Sequence, residues 1–148
     1  MKNVKQQIHT LFEKVKQDDV KTGIIHLDIW NDNMHIADTG ITVFDFDFCG
    51  NGYLILDVAY FMTQLFHAEP DKKIYETKVA TFLKTYESIS PLSEEEKALI
   101  PYAGIAIWGF YLGVQSRRFD NWSNTFLTEL HLKRFVGMIQ QWADYYKV

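Results

Sequence analysis

The sequence is poor in the features that mark several classes of protein. Among its 148 residues there is one cysteine, Cys49, which excludes an internal disulfide framework and is typical of a reducing compartment. Lysine and arginine number 15 against 19 aspartates and glutamates, and this net charge of −4 argues against a nucleic-acid partner. The first residues contain no apolar run of the kind that a secretory leader needs. We therefore expect a cytoplasmic protein.

Long apolar stretches are also scarce. The segment Ala98 to Val114 contains no charged residue, and its 17 residues include Pro101. A membrane-spanning helix needs about 20 predominantly apolar residues, so we predict a buried central helix and no membrane span. Hydrophobic residues at 47% and aromatic residues at 16% are sufficient for the core of one domain, residues 1–148.

Two acidic motifs are the most informative part of the chain. Residues 26–33 read His-Leu-Asp-Ile-Trp-Asn-Asp-Asn, and residues 43–50 read Val-Phe-Asp-Phe-Asp-Phe-Cys-Gly. Each motif follows an apolar, β-branched run that is typical of a short strand. A hairpin-like connection from Met34 to Gly40 is predicted to set the two strand ends side by side.

This arrangement would gather Asp28, Asn33 and Asp45 at one edge, with Asp47 close by. The carboxylate of Asp28 can accept a proton from an attacking hydroxyl, and the side-chain oxygen of Asn33 can coordinate a hard cation. Asp45 adds the charge that holds Mg²⁺ against phosphate oxygens, and Mg²⁺ needs only one or two carboxylates besides water and phosphate. The residues therefore point to phosphoryl chemistry.

The order of the motifs resembles that of a known family. His-x-Asp-x-x-x-x-Asn, followed twelve residues later by Asp-Phe, is the spacing of the catalytic loop and metal-binding aspartate in kinase-type phosphotransferases. A third block, Asp57-Val58-Ala59, comes where the aminoglycoside phosphotransferase/choline kinase family has one. Three ordered motifs between His26 and Ala59 make the resemblance specific, and it extends in order over nearly the whole chain.

The resemblance implies the C-terminal lobe of the protein-kinase-like fold, an α+β, mostly helical domain with a small β-hairpin that carries the catalytic and metal motifs. It implies ATP as co-substrate, Mg²⁺ as cofactor and a small-molecule hydroxyl as phosphate acceptor. Residue by residue, it assigns the catalytic base to Asp28, the loop histidine to His26, metal ligation to Asn33 and Asp45, and support of the catalytic loop to Asp57. Asp47 is a further candidate metal ligand at a position where members of the family vary.

One residue departs from the family pattern, and three aromatic residues are candidates for its substrate pocket. Leu27 stands where members have a small or polar residue, which is expected to narrow the space beside the base. The substrate pocket in such relatives is built from the later helices, where Trp108, Tyr111 and Trp122 are candidates. Aromatic rings can hold a cationic amine by cation–π attraction, and core packing is the alternative role for each.

The nucleotide-clamping half of the family pattern is missing from this sequence. No G-x-G-x-x-G occurs, no Val-Ala-x-Lys strand precedes His26, and only 25 residues come before it. We therefore expect a chain that lacks the N-terminal lobe and is incomplete as a catalyst by itself. The surface near the first strand and the acidic loop should then be apolar, which favours self-association or a separate chain that supplies the lobe.

Two alternatives remain open at this point. The chain can be a non-catalytic binding module, a truncated or split relative of the kinases. Alternatively, Asp45 and Asp47 resemble the Asp-x-Asp opening of haloacid-dehalogenase-type phosphatases, where they would act as nucleophile and acid/base. That fold needs repeated βα units, whereas this sequence has helical periodicity after the motif.

Overall fold

Within residues 20–117 and 127–148, four short strands and four helices follow one another. The structure is a computed structural model that describes residues 20–117 and 127–148. The strands are β1 (Thr22–Ile25), β2 (Met34–Ala37), β3 (Gly40–Val43) and β4 (Gly50–Tyr53). The helices are α1 (Ile55–Ala68), α2 (Lys72–Glu87), α3 (Glu94–Arg117) and α4 (Glu129–Tyr146). A single 3-10 turn, Asn31–Asn33, leads into β2.

The strands form two antiparallel pairs, and this differs from the predicted arrangement. The connection from Met34 to Gly40 is not a simple link between the first two strands, because β2 lies in it and pairs with β3. β1 pairs instead with β4. β4 reads Gly-Asn-Gly-Tyr, in which no strand signal was recognised. A Cβ on Gly52 would lie 2.5 Å from Cδ1 of Ile25, so glycine leaves room for that side chain against β4.

A capping box begins α3, where residues 93–96 read Ser-Glu-Glu-Glu. The backbone N–H of Glu96 donates to Oγ of Ser93 at 3.0 Å, and the backbone N–H of Ser93 donates to Oε2 of Glu96 at 2.9 Å. The other carboxylate oxygen, Oε1, accepts from the backbone N–H of Lys21 at 3.0 Å. Glu96 is 1% exposed, so this buried carboxylate also fixes the chain that enters β1.

The central helix α3 packs against α1 and α4. Its residues Leu99, Ile100, Ala103 and Ile107 are at most 4% exposed, which confirms the predicted buried helix. By length and composition α3 is also long and apolar enough to cross a membrane, although core helices pass the same test, and 39% of its most apolar stretch is buried within the chain. The helix thus forms the middle layer of the helical half.

Two glycines in α3 offer a matched test of this packing. A Cβ on Gly104 would lie 2.7 Å from the ring of Trp142 and from the methyl of Thr63, whereas a Cβ on Gly109 meets nothing within 4 Å. We expect Gly104→Ala to lower the free energy of unfolding by about 1–3 kcal/mol through overpacking. Gly109→Ala should raise it by about 0.5–1 kcal/mol because alanine favours helix. Urea unfolding measures both, and equal effects would contradict the close approach of α3 and α4.

Candidate functional site

The loop after β1 is held by a carboxylate from α1. Oδ2 of Asp57 accepts from the backbone N–H of His26 at 2.8 Å, and Oδ1 accepts from the backbone N–H of Leu27 at 2.7 Å. Asp57 lies in the first turn of α1, where the helix dipole favours a negative charge. Both of its oxygens therefore bind the loop that carries Asp28.

Leu27 adopts a backbone conformation that leucine rarely takes. Its φ is 58°, in the left-handed region, which costs a residue with a Cβ roughly 1–2 kcal/mol. This explains why a glycine or asparagine suits the position in the family that the sequence resembles. Here the two hydrogen bonds with Asp57 fix the peptide groups that lead into Leu27, and the leucine side chain packs partly against the core.

His26 connects the loop to the second acidic motif. The ring is 7% exposed; its Nδ1 lies 3.3 Å from the backbone N–H of Asp28, and its Nε2 lies 3.0 Å from the carbonyl of Phe44. Nδ1 therefore accepts and Nε2 donates, so both ring nitrogens are engaged. Because both nitrogens are bonded to backbone groups, the ring links the loop after β1 to the second acidic motif, and neither nitrogen is available for proton transfer.

The carboxylate of Asp28 receives three side-chain hydrogen bonds. Oδ1 accepts from the hydroxyls of Tyr60 at 2.6 Å and Tyr111 at 2.8 Å, and Oδ2 accepts from Nδ2 of Asn33 at 2.8 Å. Nδ2 of Asn33 also donates to the carbonyl of Asp28 at 2.9 Å. The carboxylate is consequently fixed by three separate parts of the chain.

Both tyrosines that contact Asp28 have a raised hydroxyl pKa. Burial is the largest cause for each, and the neighbouring charge of Asp28 adds to it. The pKa of Tyr60 and that of Tyr111 therefore lie well above the ordinary value for tyrosine. Each hydroxyl stays protonated at neutral pH and acts as a donor.

The second acidic motif lies next to Asn33. The backbone N–H of Phe44 donates to the carbonyl of Asn33 at 3.1 Å, which brings the end of β3 beside the 3-10 turn. Asp45 follows with φ 63°, and both it and Asp47 are exposed. Within the described ranges no three His, Cys, Asp or Glu side chains form a group that could hold a metal by themselves. A cation here would need Asn33 and the oxygens of a bound phosphate.

A cavity of about 440 Å³ opens beside Asp28. Its walls come mainly from α1, α3 and α4, and they include Asp28, Tyr60, Trp108, Tyr111, Phe135 and Met138. The two predicted pocket residues within the described part of the chain, Trp108 and Tyr111, both line it. Trp108 is also a core residue, 6% exposed, with its ring 4.6 Å from that of Phe135. The third candidate, Trp122, lies outside the described residues.

Tyr60 was not predicted, although the sequence contained a signal for it. It lies three residues after Asp57 in α1, so the two side chains share one face of the helix. Once Asp57 is assigned to the loop, the residue at this spacing must face the same loop. The hydroxyl of Tyr60 accordingly donates to the carboxylate of Asp28.

The two small sheets, the looped acidic motifs and the four helices define the C-terminal lobe of a kinase-like fold. The family model described as the phosphotransferase enzyme family (APH) matches residues 2–92, and the chain belongs to that family. The structure of an amicoumacin kinase, hAmiN, in complex with AMP-PNP, Ca²⁺ and Ami, is similar with a TM-score of 0.72 at 23% identity, over 97% of this chain and 43% of that chain.

Curated relatives include homoserine kinases. That of Afipia carboxidovorans is 40% identical over 80 residues, which are 53% of this chain and 24% of the kinase. That of Rhodospirillum rubrum is 31% identical over 108 residues, which are 72% of this chain and 32% of the kinase. The chain thus spans about a quarter to a third of the length of these relatives. The comparisons confirm the resemblance and the fold class, and they give no support to the phosphatase alternative.

Asp57 offers a direct test of the loop support. We expect Asp57→Asn to lower the free energy of unfolding by about 1.5–3 kcal/mol, because an amide can accept only one of the two backbone hydrogen bonds and turns a donor toward the other. Amide hydrogen exchange of His26 and Leu27 should accelerate with it. Asp38→Asn, an exposed change of the same charge at the tip of the hairpin, should stay within about 0.5 kcal/mol. Unchanged exchange at both amides would contradict the assignment.

Proposed function

We propose that the chain is the catalytic and metal-binding half of an ATP- and Mg²⁺-dependent kinase that phosphorylates a hydroxyl of a small molecule. The observation that carries the proposal is the Asp28 carboxylate, held by hydrogen bonds at the wall of a cavity of about 440 Å³. Membership of the phosphotransferase family supports it. A cytoplasmic location follows from the need for ATP.

In this proposal Asp28 is the general base. Its carboxylate accepts the proton of the acceptor hydroxyl as the hydroxyl oxygen attacks the γ-phosphorus of ATP. The bond from that phosphorus to the bridging oxygen breaks, and ADP leaves with the electron pair. Asp57 and His26 hold the backbone that leads into the base, through the N–H groups of residues 26 to 28, so they act on geometry and not on the proton.

The oxygen ligands around Asn33 fit a magnesium ion. Nδ2 of Asn33 is committed to Asp28, so Oδ1 is the atom left for a cation. Asp45 follows the residue bonded to the Asn33 carbonyl and is exposed, and Asp47 is a further carboxylate two residues on. Mg²⁺ accepts such a small protein set because it keeps waters and phosphate oxygens as its other ligands. When bound, it would neutralise charge on the transferred phosphate.

The walls of the cavity support an acceptor with a partly apolar body and an amine. Trp108 and Tyr111 present aromatic surface beside the base, and such rings attract cations. The curated relatives are homoserine kinases, and homoserine is an amino alcohol. We infer that the acceptor belongs to this class, with homoserine as the first compound to test.

The apolar surface predicted near the acidic loop is present. Ile36 and Ile41 face each other across β2 and β3 and are 67% and 63% exposed, while Ile24, Phe44 and Phe46 are 69%, 44% and 58% exposed. We call these five exposed side chains the sheet surface; they belong to the two sheets and the loop after β3. They support the proposal that another chain covers them, either a second copy or one that brings the nucleotide-clamping lobe. Catalysis by the isolated chain would then be weak or absent.

Nucleotide binding tests the metal assignment. We expect calorimetric titration of the full chain with ATP to show saturable heat only when Mg²⁺ is present. Asp45→Asn should weaken this binding by about tenfold or more, since it removes a ligand charge. Asp38→Asn makes the same charge change away from the loop and should leave the affinity within about twofold. Equal losses in both variants would contradict a specific ligand role, and no Mg²⁺-dependent binding would favour the non-catalytic binding module.

Self-association tests the sheet surface. We expect light scattering to show a mass above the monomer as the protein concentration rises. The double variant Ile36→Thr/Ile41→Thr should shift the equilibrium toward monomer, because threonine keeps the strand propensity and removes apolar area. Ile89→Thr is the control, since Ile89 is 86% exposed and lies after α2. A monomeric mass at every concentration would leave a different chain as the partner.

A further inference from the structure

The two tyrosine hydroxyls on Asp28 are not part of the motifs that identify the family. Tyr60 comes from α1 and Tyr111 from α3, and both donate to the same carboxylate oxygen, at 2.6 and 2.8 Å. Their rings are also neighbours, with centroids 5.7 Å apart. The packing of α1 on α3 therefore determines the rotamer of the proposed base.

The two hydroxyls differ in the acceptors that they can reach. Tyr60 is 3% exposed, and in the described part of the chain its hydroxyl donates to Asp28 Oδ1 alone. The Tyr111 hydroxyl lies 2.8 Å from Oδ1 and 2.7 Å from the carbonyl oxygen of Leu27. A tyrosine hydroxyl has one proton to donate, so Tyr111 can satisfy either acceptor and Tyr60 can satisfy only one.

We propose, on the basis of the function given above, that Tyr60 and Tyr111 are positioning residues with unequal parts. Tyr60 holds Oδ1 of Asp28 throughout. Tyr111 occupies the second lone pair of Oδ1 until the acceptor hydroxyl arrives, and it then turns its proton to the carbonyl of Leu27. No proton is gained or lost by either tyrosine in this exchange.

The geometry favours this change of partner by Tyr111 both before and after the acceptor hydroxyl binds. Two donors fill Oδ1, whereas Oδ2 accepts one side-chain hydrogen bond, from Asn33. Since a carboxylate oxygen has two lone pairs, an acceptor hydroxyl that approaches Oδ1 from the cavity takes the place of one of its two donors. The charge-assisted bond to Asp28 is the stronger one in the absence of an acceptor. When the acceptor takes that place, Tyr111 is not left as an unpaired buried donor, because the Leu27 carbonyl is already within reach. Burial keeps the pKa of both tyrosines high, so both remain donors.

In this proposal Leu27 also supplies the alternative acceptor for the Tyr111 hydroxyl. Its carbonyl is presented to Tyr111 by the same left-handed backbone, φ 58°, that Asp57 stabilises. The hydrogen bonds between Asp57 and the loop therefore position the carbonyl of Leu27 as well as the carboxylate of Asp28. Of the groups involved, Asp28, Tyr60 and Tyr111 line the cavity.

The experiment follows the hydroxyl protons of the tyrosines by nuclear magnetic resonance in the full chain, labelled at tyrosine Cζ. Tyr60→Phe and Tyr111→Phe assign the two signals. Asp28→Ala then removes the shared acceptor without any ligand. We expect the exchange of the Tyr60 proton with solvent to accelerate by about tenfold, the factor of one hydrogen bond, while the Tyr111 proton keeps its protection through Leu27. Tyr145, which donates to Oε1 of Glu76 at 2.8 Å, is the control and should not change.

Loss of protection at both tyrosines, or at Tyr111 alone, would overturn the proposal. If Asp28→Ala does not fold, Asp28→Leu replaces it, because leucine has a similar shape and no acceptor oxygen, and there the Tyr60 proton should again accelerate more than the Tyr111 proton. Added 2-aminoethanol, the smallest amino alcohol, should shift the Tyr111 signal of the unmodified chain toward its position in Asp28→Ala. A shift of Tyr60 alone would contradict the exchange. Because the variant experiment needs neither nucleotide nor turnover, its failure is distinct from failure of the proposed kinase activity.

Discussion

The hydrogen bonds between Asp57 and the backbone of the loop after β1 are the constraint on which the site depends. They hold Leu27 in a left-handed conformation that leucine would otherwise avoid. With the loop in this shape, Asp28 faces the cavity and the Leu27 carbonyl faces Tyr111. The strain is thus stored in one residue and offset by a carboxylate at the first turn of a buried helix.

The packing of α1 against α3 positions the remaining side chains of the site. α1 contributes both Asp57 and Tyr60, and α3 contributes Tyr111 and Trp108. Because α3 approaches α4 closely at Gly104, the position of the Tyr111 hydroxyl is tied to the core of the helical half. Stability and site geometry are therefore not separable here, and core changes in α3 are expected to reach Asp28.

Much of the fold and of the site could be predicted from local patterns. The Ser93–Glu96 capping box and the charge-free stretch of α3 specify their helices through nearby residues, and the structure has both. The pairing of β1 with β4 was missed because glycine-rich β4 has no strand propensity of its own. Its formation depends on Ile25, which lies about 25 residues earlier in the chain.

The sequence by itself determined the family, the order of the acidic motifs and the residue types available for phosphoryl chemistry, since these follow from spacing along the chain. Only the tertiary structure decided which groups meet at Asp28. Tyr60 and Tyr111 lie 32 and 83 residues away from it. The spacing from Asp57 indicates which face of α1 carries Tyr60, but no local periodicity specifies a hydrogen-bond partner across such separations. The physical reason is that a hydrogen bond of 2.6–2.8 Å is set by the packing of whole helices, and this packing is a property of the folded chain.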